Sequence, residues 1–304
     1  MSRPRGSGPD RPPTEAGSTE SGQAGAIELR SGDVVVTIEP KAGGRIGQIA
    51  VGPQPLLCDD RAAGAIGWGS YPMAPWAGRL RDGRFTFAGT THQLALNHTD
   101  EDGTRHAIHG TVFDAQWTVE AVGADAITLR CPLDAAVLWP FGGTARQTIS
   151  VDHDRLTCEL RVEADGDPFP ASIGWHPWFR KPDRLTFEPD GMYERGDIGL
   201  PRATLVPPVA GPWDDCFVNH KPVTLHYDAP DRDALDRDAR ERDARSAATA
   251  VTVTSDCDHW VVYDQPAHAT CVEPQSGPPD ALNVAPVLVT PGHPLARTMT
   301  IAWS

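Results

Sequence analysis

The stretch RLTCELRVEA, at positions 155–164, carries the clearest structural signal in the chain. Leu156, Cys158, Leu160 and Val162 alternate there with polar and charged residues. Because successive side chains of a β-strand point to opposite faces, this period of two predicts a strand with one apolar and one solvated face. Such a strand needs a second layer against which its apolar face can be buried.

Runs of the same type recur along the chain between Gly, Pro and Asp residues, which favour turns. The clearest are VVVTI (34–38), RFTFAG (84–89), AITLRC (126–131), AVTVTS (250–255) and TMTIAW (298–303). No helical period supplies a second layer. The sequence therefore predicts an all-β fold in which antiparallel sheets pack face to face.

Composition limits the classes of protein to which the chain can belong. With 41 acidic and 27 basic side chains the formal net charge is −14, so neither nucleic acid nor a membrane surface is an expected partner. No run approaches the ~18 apolar residues of a membrane span, and we expect no signal peptide. Six cysteines without a CxxC pair are typical of buried thiols in a reducing compartment, so we expect a cytoplasmic protein.

Two segments have too little apolar content to form part of a core. Residues 1–25 are rich in Gly, Pro, Ser, Thr and charge, and are predicted to form a disordered tail. Residues 228–248 alternate Asp and Arg between two strand candidates. We expect them to form a charged surface insertion, because a surface loop tolerates extra length at little cost in closure entropy.

Two candidate acid–base residues each precede a proline. They are His176 in GWHPWF (174–179) and Glu273 in CVEPQ (271–275). Proline pushes the preceding residue toward extended backbone, so both side chains are expected to leave strand ends in fixed directions. Fixed orientation is what general acid–base catalysis requires.

Two tryptophans flank the histidine. In an extended strand His176 and Trp178 share a face, so the indole is expected beside the imidazole. An aromatic ring next to an acid–base group is typical of a carbohydrate site, where apolar sugar faces rest on rings. Trp175 points the other way and is expected in the core.

The turn-rich segment SYPMAPWAGRLRDGRF (70–85) carries three arginines. Arg79 follows an apolar stretch and Gly78, and is the one expected to point inward. A guanidinium there can donate to several hydroxyls without titrating. Arg81 and Arg84 flank an Asp-Gly turn and are expected at the surface.

Two further motifs supply polar groups. In RHAIHGTVFDAQW (105–117), His106 and His109 would share a side only in a helix, which the following residues disfavour, so no metal site is predicted. His109 is expected either to hydrogen-bond a ligand or to serve a structural role. In WDDCFV (213–218), one of two adjacent carboxylates is expected in water and the other is a candidate acceptor for ligand hydroxyls.

Taken together and in this order, these segments resemble the aldose 1-epimerase (galactose mutarotase) family over about residues 27–304. The motifs that carry the resemblance are GWHPWF (174–179), CVEPQSGPPDALN (271–283), IHG (108–110), DDCF (214–217) and PWAGRL (75–80). The resemblance implies one domain over residues 26–304, a large β-sandwich (supersandwich) with an open sugar-binding cleft. It implies no cofactor.

The resemblance also implies roles for individual residues. His176 matches the general acid, Glu273 the general base, and Arg79, His109 and Asp215 the ligands of sugar hydroxyls. Together they would open the ring of an aldose such as glucose or galactose and close it to the other anomer. We expect the two catalytic groups on opposite sides of the bound sugar, and activity in a window around mildly acidic to neutral pH. Monomer and homodimer are both left open.

The chain departs from the family pattern at two positions. Many members have Asn before the arginine where this chain has Gly78, so an amide contact to the sugar is missing and sugar preference is not predicted. The histidine motif often ends in Gly-Gly, whereas Thr111 follows Gly110 here. A narrower rim near His109 is therefore expected.

Three other functions are compatible with these residues. A glycosidase needs two carboxylates, for which Glu273 and Asp215 are candidates. A hexose-6-phosphate 1-epimerase needs a cluster of cations, for which Arg79, Arg81, Arg84, Arg180 and Lys181 are candidates. A non-catalytic sugar-binding module needs the cleft but not an acid–base pair.

Overall fold

A computed structural model describes residues 25–100, 102–134, 139–196, 199–227 and 249–304. The predicted tail at 1–25, except its last residue, and the predicted insertion at 228–248 lie outside the described residues. The described residues contain 26 strands, one short α-helix and two 3-10 turns. The predicted all-β class is confirmed.

The bounds of these elements follow in chain order. The strands are β1 (Ile27–Ser31), β2 (Val34–Glu39), β3 (Arg45–Val51), β4 (Gln54–Pro55), β5 (Ser70–Met73), β6 (Arg79–Leu80), β7 (Arg84–Phe87), β8 (Thr90–Gln93), β9 (His98–Thr99), β10 (Arg105–Ile108), β11 (Thr118–Val122), β12 (Ala126–Pro132), β13 (Thr144–Val151), β14 (Arg155–Glu163), β15 (Phe169–Ala171), β16 (Gly174–Arg180), β17 (Arg184–Thr186), β18 (Gly191–Tyr193), β19 (Leu205–Val206), β20 (Asp214–Val218), β21 (Val223–His226), β22 (Ala250–Ser255), β23 (His259–Tyr263), β24 (Ala269–Gln275), β25 (Val287–Val289) and β26 (Leu295–Trp303). The α-helix is α1 (Ala281–Val284), and the 3-10 turns span Arg61–Ala63 and Arg81–Gly83.

Two large antiparallel sheets organise these strands. The 11-stranded sheet has the order β1-β2-β3-β5-β16-β24-β23-β20-β18-β19, with β4 paired to β3. The 8-stranded sheet has the order β11-β12-β13-β14-β26-β22-β21-β17. The other strands form three small sheets, β6-β10-β9, β15-β25 and β7-β8.

The two large sheets pack on each other through one apolar cluster. Along β14 the predicted inward residues, from Leu156 to Val162 at every second position, are all fully buried, and their neighbours are partly or fully exposed. The larger sheet contributes Trp175 and Val272 to the same cluster. The alternation seen in the sequence therefore marks the layer between the sheets, and Trp175 lies in the core as predicted.

The opposite face of the larger sheet is available for a site. Because side chains alternate along a strand, burying Trp175 and Val272 in the core turns His176 and Glu273 to the other face.

No helix among the described residues is long and apolar enough to cross a membrane.

Candidate functional site

A cavity of about 1050 Å³ opens on this second face of the larger sheet. The six site residues predicted from the sequence all contribute to its lining, and they are Arg79, His109, His176, Trp178, Asp215 and Glu273. The fold thus brings together groups that are far apart in the chain. Their roles in binding and catalysis stay predictions.

His176 and Glu273 meet because β16 and β24 are neighbouring strands. The register pairs Gly174 with Gln275 and Trp178 with Cys271, which leaves His176 opposite Glu273. The His176 Nε2 and Glu273 Oε1 atoms are 3.2 Å apart, and both residues are buried. The two groups are therefore in contact rather than on opposite sides of a sugar-sized gap, and a sugar must approach both from the cavity.

Both prolines lie within strands, and His176 does not stand at a strand end as expected, whereas Glu273 is close to one. His176 and Pro177 fall in the middle of β16, and Glu273 and Pro274 fall near the end of β24. The Cα pairing of the two strands lapses between Gly174 and Trp178. Proline has no N–H to donate to a ladder, so the interruption occurs where the catalytic candidates face each other.

Burial sets the protonation of the pair. Desolvation lowers the pKa of His176 to about 3, with smaller contributions in the same direction from Arg45 and Arg79. Desolvation also raises the pKa of Glu273 well above its usual value, and the nearby charge of Asp214 adds to this effect. Burial therefore favours a neutral imidazole and a protonated carboxyl. In this state the pair holds one exchangeable proton, which is on Glu273.

Aromatic rings hold the imidazole from both sides. His176 stacks on Tyr71 at 4.9 Å between ring centroids and on Trp178 at 5.3 Å. The predicted proximity of Trp178 and His176 is confirmed. Trp178 also stacks on His268 at 6.3 Å and meets Tyr263 edge-on. Trp178 thus packs on two imidazoles and also lines the cavity, and its role toward a sugar stays a prediction.

Gln275 positions the carboxylate, and sequence reasoning did not single it out. Its Nε2 donates to Glu273 Oε2 at 3.2 Å, which leaves Oε1 as the oxygen that faces His176. Gly174 lies opposite and lets the two strands approach closely, since a Cβ there would lie 2.4 Å from the Pro274 oxygen. The spacing of two residues in EPQ is the signal that both side chains share a face.

His109 lies beside the pair, whereas His106 points elsewhere. The ring of His109 meets that of His176 edge-on at 5.0 Å, and its buried Nδ1 has no hydrogen-bond partner among the described residues. His109 has a φ of +62°, a strained conformation that is common at functional sites. His106 Nδ1 accepts from the Asp82 N–H and its Nε2 lies 3.4 Å from Asp100 Oδ2, so His106 adjoins a carboxylate of the site but does not itself line the cavity. Thr111 is buried beside them and donates its N–H to a backbone oxygen.

Arg79 reaches the cavity already paired with a carboxylate. Its Nε and Nη2 donate to Asp100 Oδ1 at 3.1 and 3.0 Å, and His98 Nε2 lies 3.0 Å from the same oxygen. Asp100 and His98 also line the cavity. Neither was predicted from the sequence, because only the pairing of the small sheet β6-β10-β9 brings them to Arg79.

The two aspartates of WDDCFV occupy different environments. The register pairs Cys216 with Val261 and Val261 with Glu273, so Asp214, two residues from Cys216, shares the face of Glu273. Asp215 lines the cavity, and its carboxylate accepts from Arg195 at 2.8 and 2.6 Å. Burial raises the pKa of Asp214, and the charge of Arg79 opposes the rise. Asp214 is thus the better placed acceptor, and the register of β20 with β23 and of β23 with β24 is what shows it.

The remaining cations lie away from the main cavity. Arg81 and Arg84 do not contribute to its lining. Arg180 and Lys181 line a separate cavity of about 570 Å³ that shares only His268 with the first. Of the five candidate cations for a sugar-phosphate site, Arg79 alone lines the cavity that holds His176.

Comparison with known proteins places these residues in a family context. The family described as Aldose 1-epimerase matches residues 35–301. Two proteins of Escherichia coli strain K12, both described as uncharacterized, align over parts of the chain. YihR is 27% identical over 108 residues, which cover 35% of this chain and 34% of YihR. YphB is 28% identical over 127 residues, which cover 41% of this chain and 42% of YphB. The matched region thus spans less than half the length of these relatives.

Solved structures share the fold over nearly the whole chain. A protein of Escherichia coli K12 superimposes with a TM-score of 0.73 at 17% identity, covering 92% of this chain and 98% of its own. The Slr1438 protein of Synechocystis gives 0.71 at 19% identity, covering 95% and 99%. The galactose 1-epimerase of Lactobacillus acidophilus gives 0.66 at 15% identity, covering 92% and 94%. At these identities the likeness shows a common fold.

Proposed function

We propose that this chain, which belongs to the aldose 1-epimerase family, interconverts the α and β anomers of an uncharged aldose by opening and closing its ring. The observation that carries the proposal is the contact between His176 and Glu273 at the cavity floor. We further propose that it acts in the cytoplasm on a free sugar such as glucose or galactose, as a monomer or homodimer.

The spacing of the pair suits a hemiacetal. The anomeric oxygen O1 and the ring oxygen O5 are both bonded to the same carbon, C1, so a donor and an acceptor that are 3.2 Å apart can reach both from one side. Glu273 Oε1 takes the proton of the O1 hydroxyl while His176 Nε2 gives a proton to O5. The C1–O5 bond breaks and an aldehyde forms, and rotation about C1–C2 followed by the reverse transfers closes the other anomer.

The shared proton supplies the starting state. Burial favours the neutral pair, and transfer of the Glu273 proton to His176 across the same contact generates the carboxylate and imidazolium that the reaction uses. Neither a metal nor a covalent intermediate takes part in this scheme. Each positioned acid or base typically contributes ~10²–10⁴-fold to the rate.

The charges around the cavity favour an uncharged sugar over a sugar phosphate. Among the described residues that line it, the Arg and Lys side chains are Arg79 and Arg195, and both are paired, with Asp100 and Asp215 respectively. Phosphate recognition requires cations free to donate to its oxygens. Carboxylates such as Asp214 suit hydroxyl donors instead.

Optical rotation of freshly dissolved sugars tests the proposal. Freshly dissolved α-glucose, α-galactose and their 6-phosphates are mixed with the protein in the presence of EDTA, and the rate above the buffer rate is compared. We expect catalysis with the neutral sugars and a loss of about 10²–10⁴-fold in Glu273→Gln and His176→Asn. No catalysis of either neutral sugar by the wild type, or unchanged rates in both variants, would overturn it.

A further inference from the structure

The proposed reaction leaves one buried nucleophile of the site unused. Cys271 precedes Glu273 by two residues on β24, so both side chains share the face that the cavity occupies. Its register partner on β16 is Trp178, the neighbour of His176 on the same face. Cys271 is fully buried and its sulfur forms no disulfide.

Three ligand atoms converge at this point. One ring nitrogen of His176, the Cys271 sulfur and a carboxylate oxygen of Glu273 all lie within 4.8 Å of one another. His nitrogen, Cys sulfur and Glu oxygen are each zinc ligands in proteins, and a site with three protein ligands leaves a fourth position open. The side chains come from two adjacent strands, β16 and β24, so the fold already brings the three ligands to one place.

We propose that His176, Cys271 and Glu273 form a binding site for a borderline-soft divalent cation such as Zn²⁺, and that the bound ion prevents catalysis. The inhibitory part rests on the proposed function, because it assumes that His176 and Glu273 are the catalytic pair. The binding part stands on the ligand geometry alone.

Binding of the ion requires the ligands to lose their protons and to move to coordination distance. The thiol proton of Cys271 and the carboxyl proton of Glu273 both leave to solvent, and His176, Cys271 and Glu273 then each give an electron pair to the ion. In zinc sites the Zn–N distance is about 2.0–2.1 Å, the Zn–S distance about 2.3 Å and the Zn–O distance about 2.0–2.2 Å. The three ligand atoms must therefore come closer together than the 4.8 Å within which they now lie. Small side-chain rotations bring them to these distances. His176 and Glu273 line the cavity, so water can reach the ion from that side as its fourth ligand. The sulfur ligand favours Zn²⁺ over Mg²⁺ or Ca²⁺.

Binding is measured without reference to turnover. The full chain, freed of metal with EDTA and desalted, is titrated with Zn²⁺ against a chromophoric chelator, and with Co²⁺ to follow the near-ultraviolet thiolate-to-cobalt absorption. We expect one tight Zn²⁺ per chain in the wild type. Cys271→Ser and Cys271→Ala, both checked for folding by circular dichroism, should lose the thiolate band and at least about tenfold in affinity.

Cys216 provides the matched control. It is a buried thiol that lines the same cavity but does not belong to the three-ligand set. Cys216→Ser should therefore bind Zn²⁺ as the wild type does. Equal affinities in wild type and Cys271→Ser, or no binding in the wild type up to millimolar Zn²⁺, would overturn the proposal.

Turnover then separates the two proposals. If the wild type catalyses mutarotation, added Zn²⁺ should stop it and EDTA should restore it, and Cys271→Ser should resist at least about tenfold more Zn²⁺. An inactive wild type that still binds Zn²⁺ through Cys271 would remove the proposed function and leave the metal site intact. An active wild type unaffected by saturating Zn²⁺ would contradict the inhibitory part.

Discussion

At the scale of single residues, the amide of Gln275 decides how Glu273 presents its oxygens. The N–H of Gln275 keeps Oε2 an acceptor, so the proton that the pair exchanges belongs on Oε1, which faces His176. The Gln275 Oε1 is buried without a partner among the described residues. The orientation thus keeps the contact with Glu273 at the cost of one unpaired acceptor.

Gln275→Met is expected to lower kcat about tenfold or more and to change KM little. A hydrogen bond to a charged group contributes about 1.5–3 kcal/mol, and its loss frees the carboxylate to turn away from His176. Steady-state mutarotation kinetics check this, with Gln116→Met at an exposed position as the control. A variant whose KM rises while kcat stays at the wild-type value would show that Gln275 binds the sugar and does not position Glu273.

The pH profile depends on the same two groups. Below the His176 pKa of about 3 both groups are protonated and the base is lost, and above the raised pKa of Glu273 both are deprotonated and the acid is lost. Between these limits the pair holds one proton. We therefore expect kcat/KM, corrected for the buffer reaction, to stay level from neutral pH down to about pH 5, and to fall on the alkaline side only above the raised pKa of Glu273. A bell confined to a window around mildly acidic to neutral pH, which the sequence alone predicts, would argue against the shared proton.

At the scale of elements, the approach of two loops holds His109 beside the pair. Gly110 has a φ of +82°, and a Cβ there would lie 1.9 Å from the Ala74 oxygen. Ala74 and Gly110 form a β-bridge, and the His109 N–H donates to the Gly78 oxygen. The glycine therefore lets the chain pass close enough to bring His109 to His176.

Gly110→Ala is expected to reduce the free energy of unfolding by more than the roughly 1–2 kcal/mol that a left-handed residue costs, because the clash adds to it. Gly32→Ala isolates the conformational part, since Gly32 has a φ of +57° and nothing within 4 Å of its Cβ position. Urea unfolding of both variants measures the difference. Equal losses would mean that the close approach to Ala74 contributes nothing to stability.

The strands themselves were largely predictable from local pattern. β14 and β22 follow the alternation of RLTCELRVEA and AVTVTS, because every second residue of these segments is apolar and buried. The placement of Asp214 and Asp215 was not predictable from the motif alone, since it depends on the register of β20 with β23. The pairing of Arg79 with Asp100 was not predictable from the sequence either, because Asp100 reaches Arg79 only through tertiary packing.

At the scale of the whole molecule, the net charge of −14 and the carboxylates of the cavity act in the same direction. An acidic field repels a sugar phosphate and is indifferent to a neutral sugar. We expect kcat/KM for glucose to change less than about twofold between about 0.05 and about 0.5 M NaCl, and any activity on glucose 6-phosphate to rise with salt as the repulsion is screened. Activity on the phosphate that falls with salt would indicate a cationic subsite.

The resemblance seen in the sequence and the fold agree over nearly the whole chain, but only the structure gives the contacts between side chains. Motif order was enough to indicate the family and the cavity residues. It did not give the contact distance of His176 and Glu273, because nearly a hundred residues and several strand pairings separate them in the chain.

The shared role of the pair is tested most directly by NMR exchange of magnetisation between the α and β anomers of glucose at equilibrium. The exchange rate is measured with the wild type, His176→Asn, Glu273→Gln and the double variant. If the two groups work as one unit, each single variant loses about 10²–10⁴-fold and the double variant loses little more than the worse single one. Single variants that exchange anomers at the wild-type rate would contradict the account, and so would losses that multiply in the double variant.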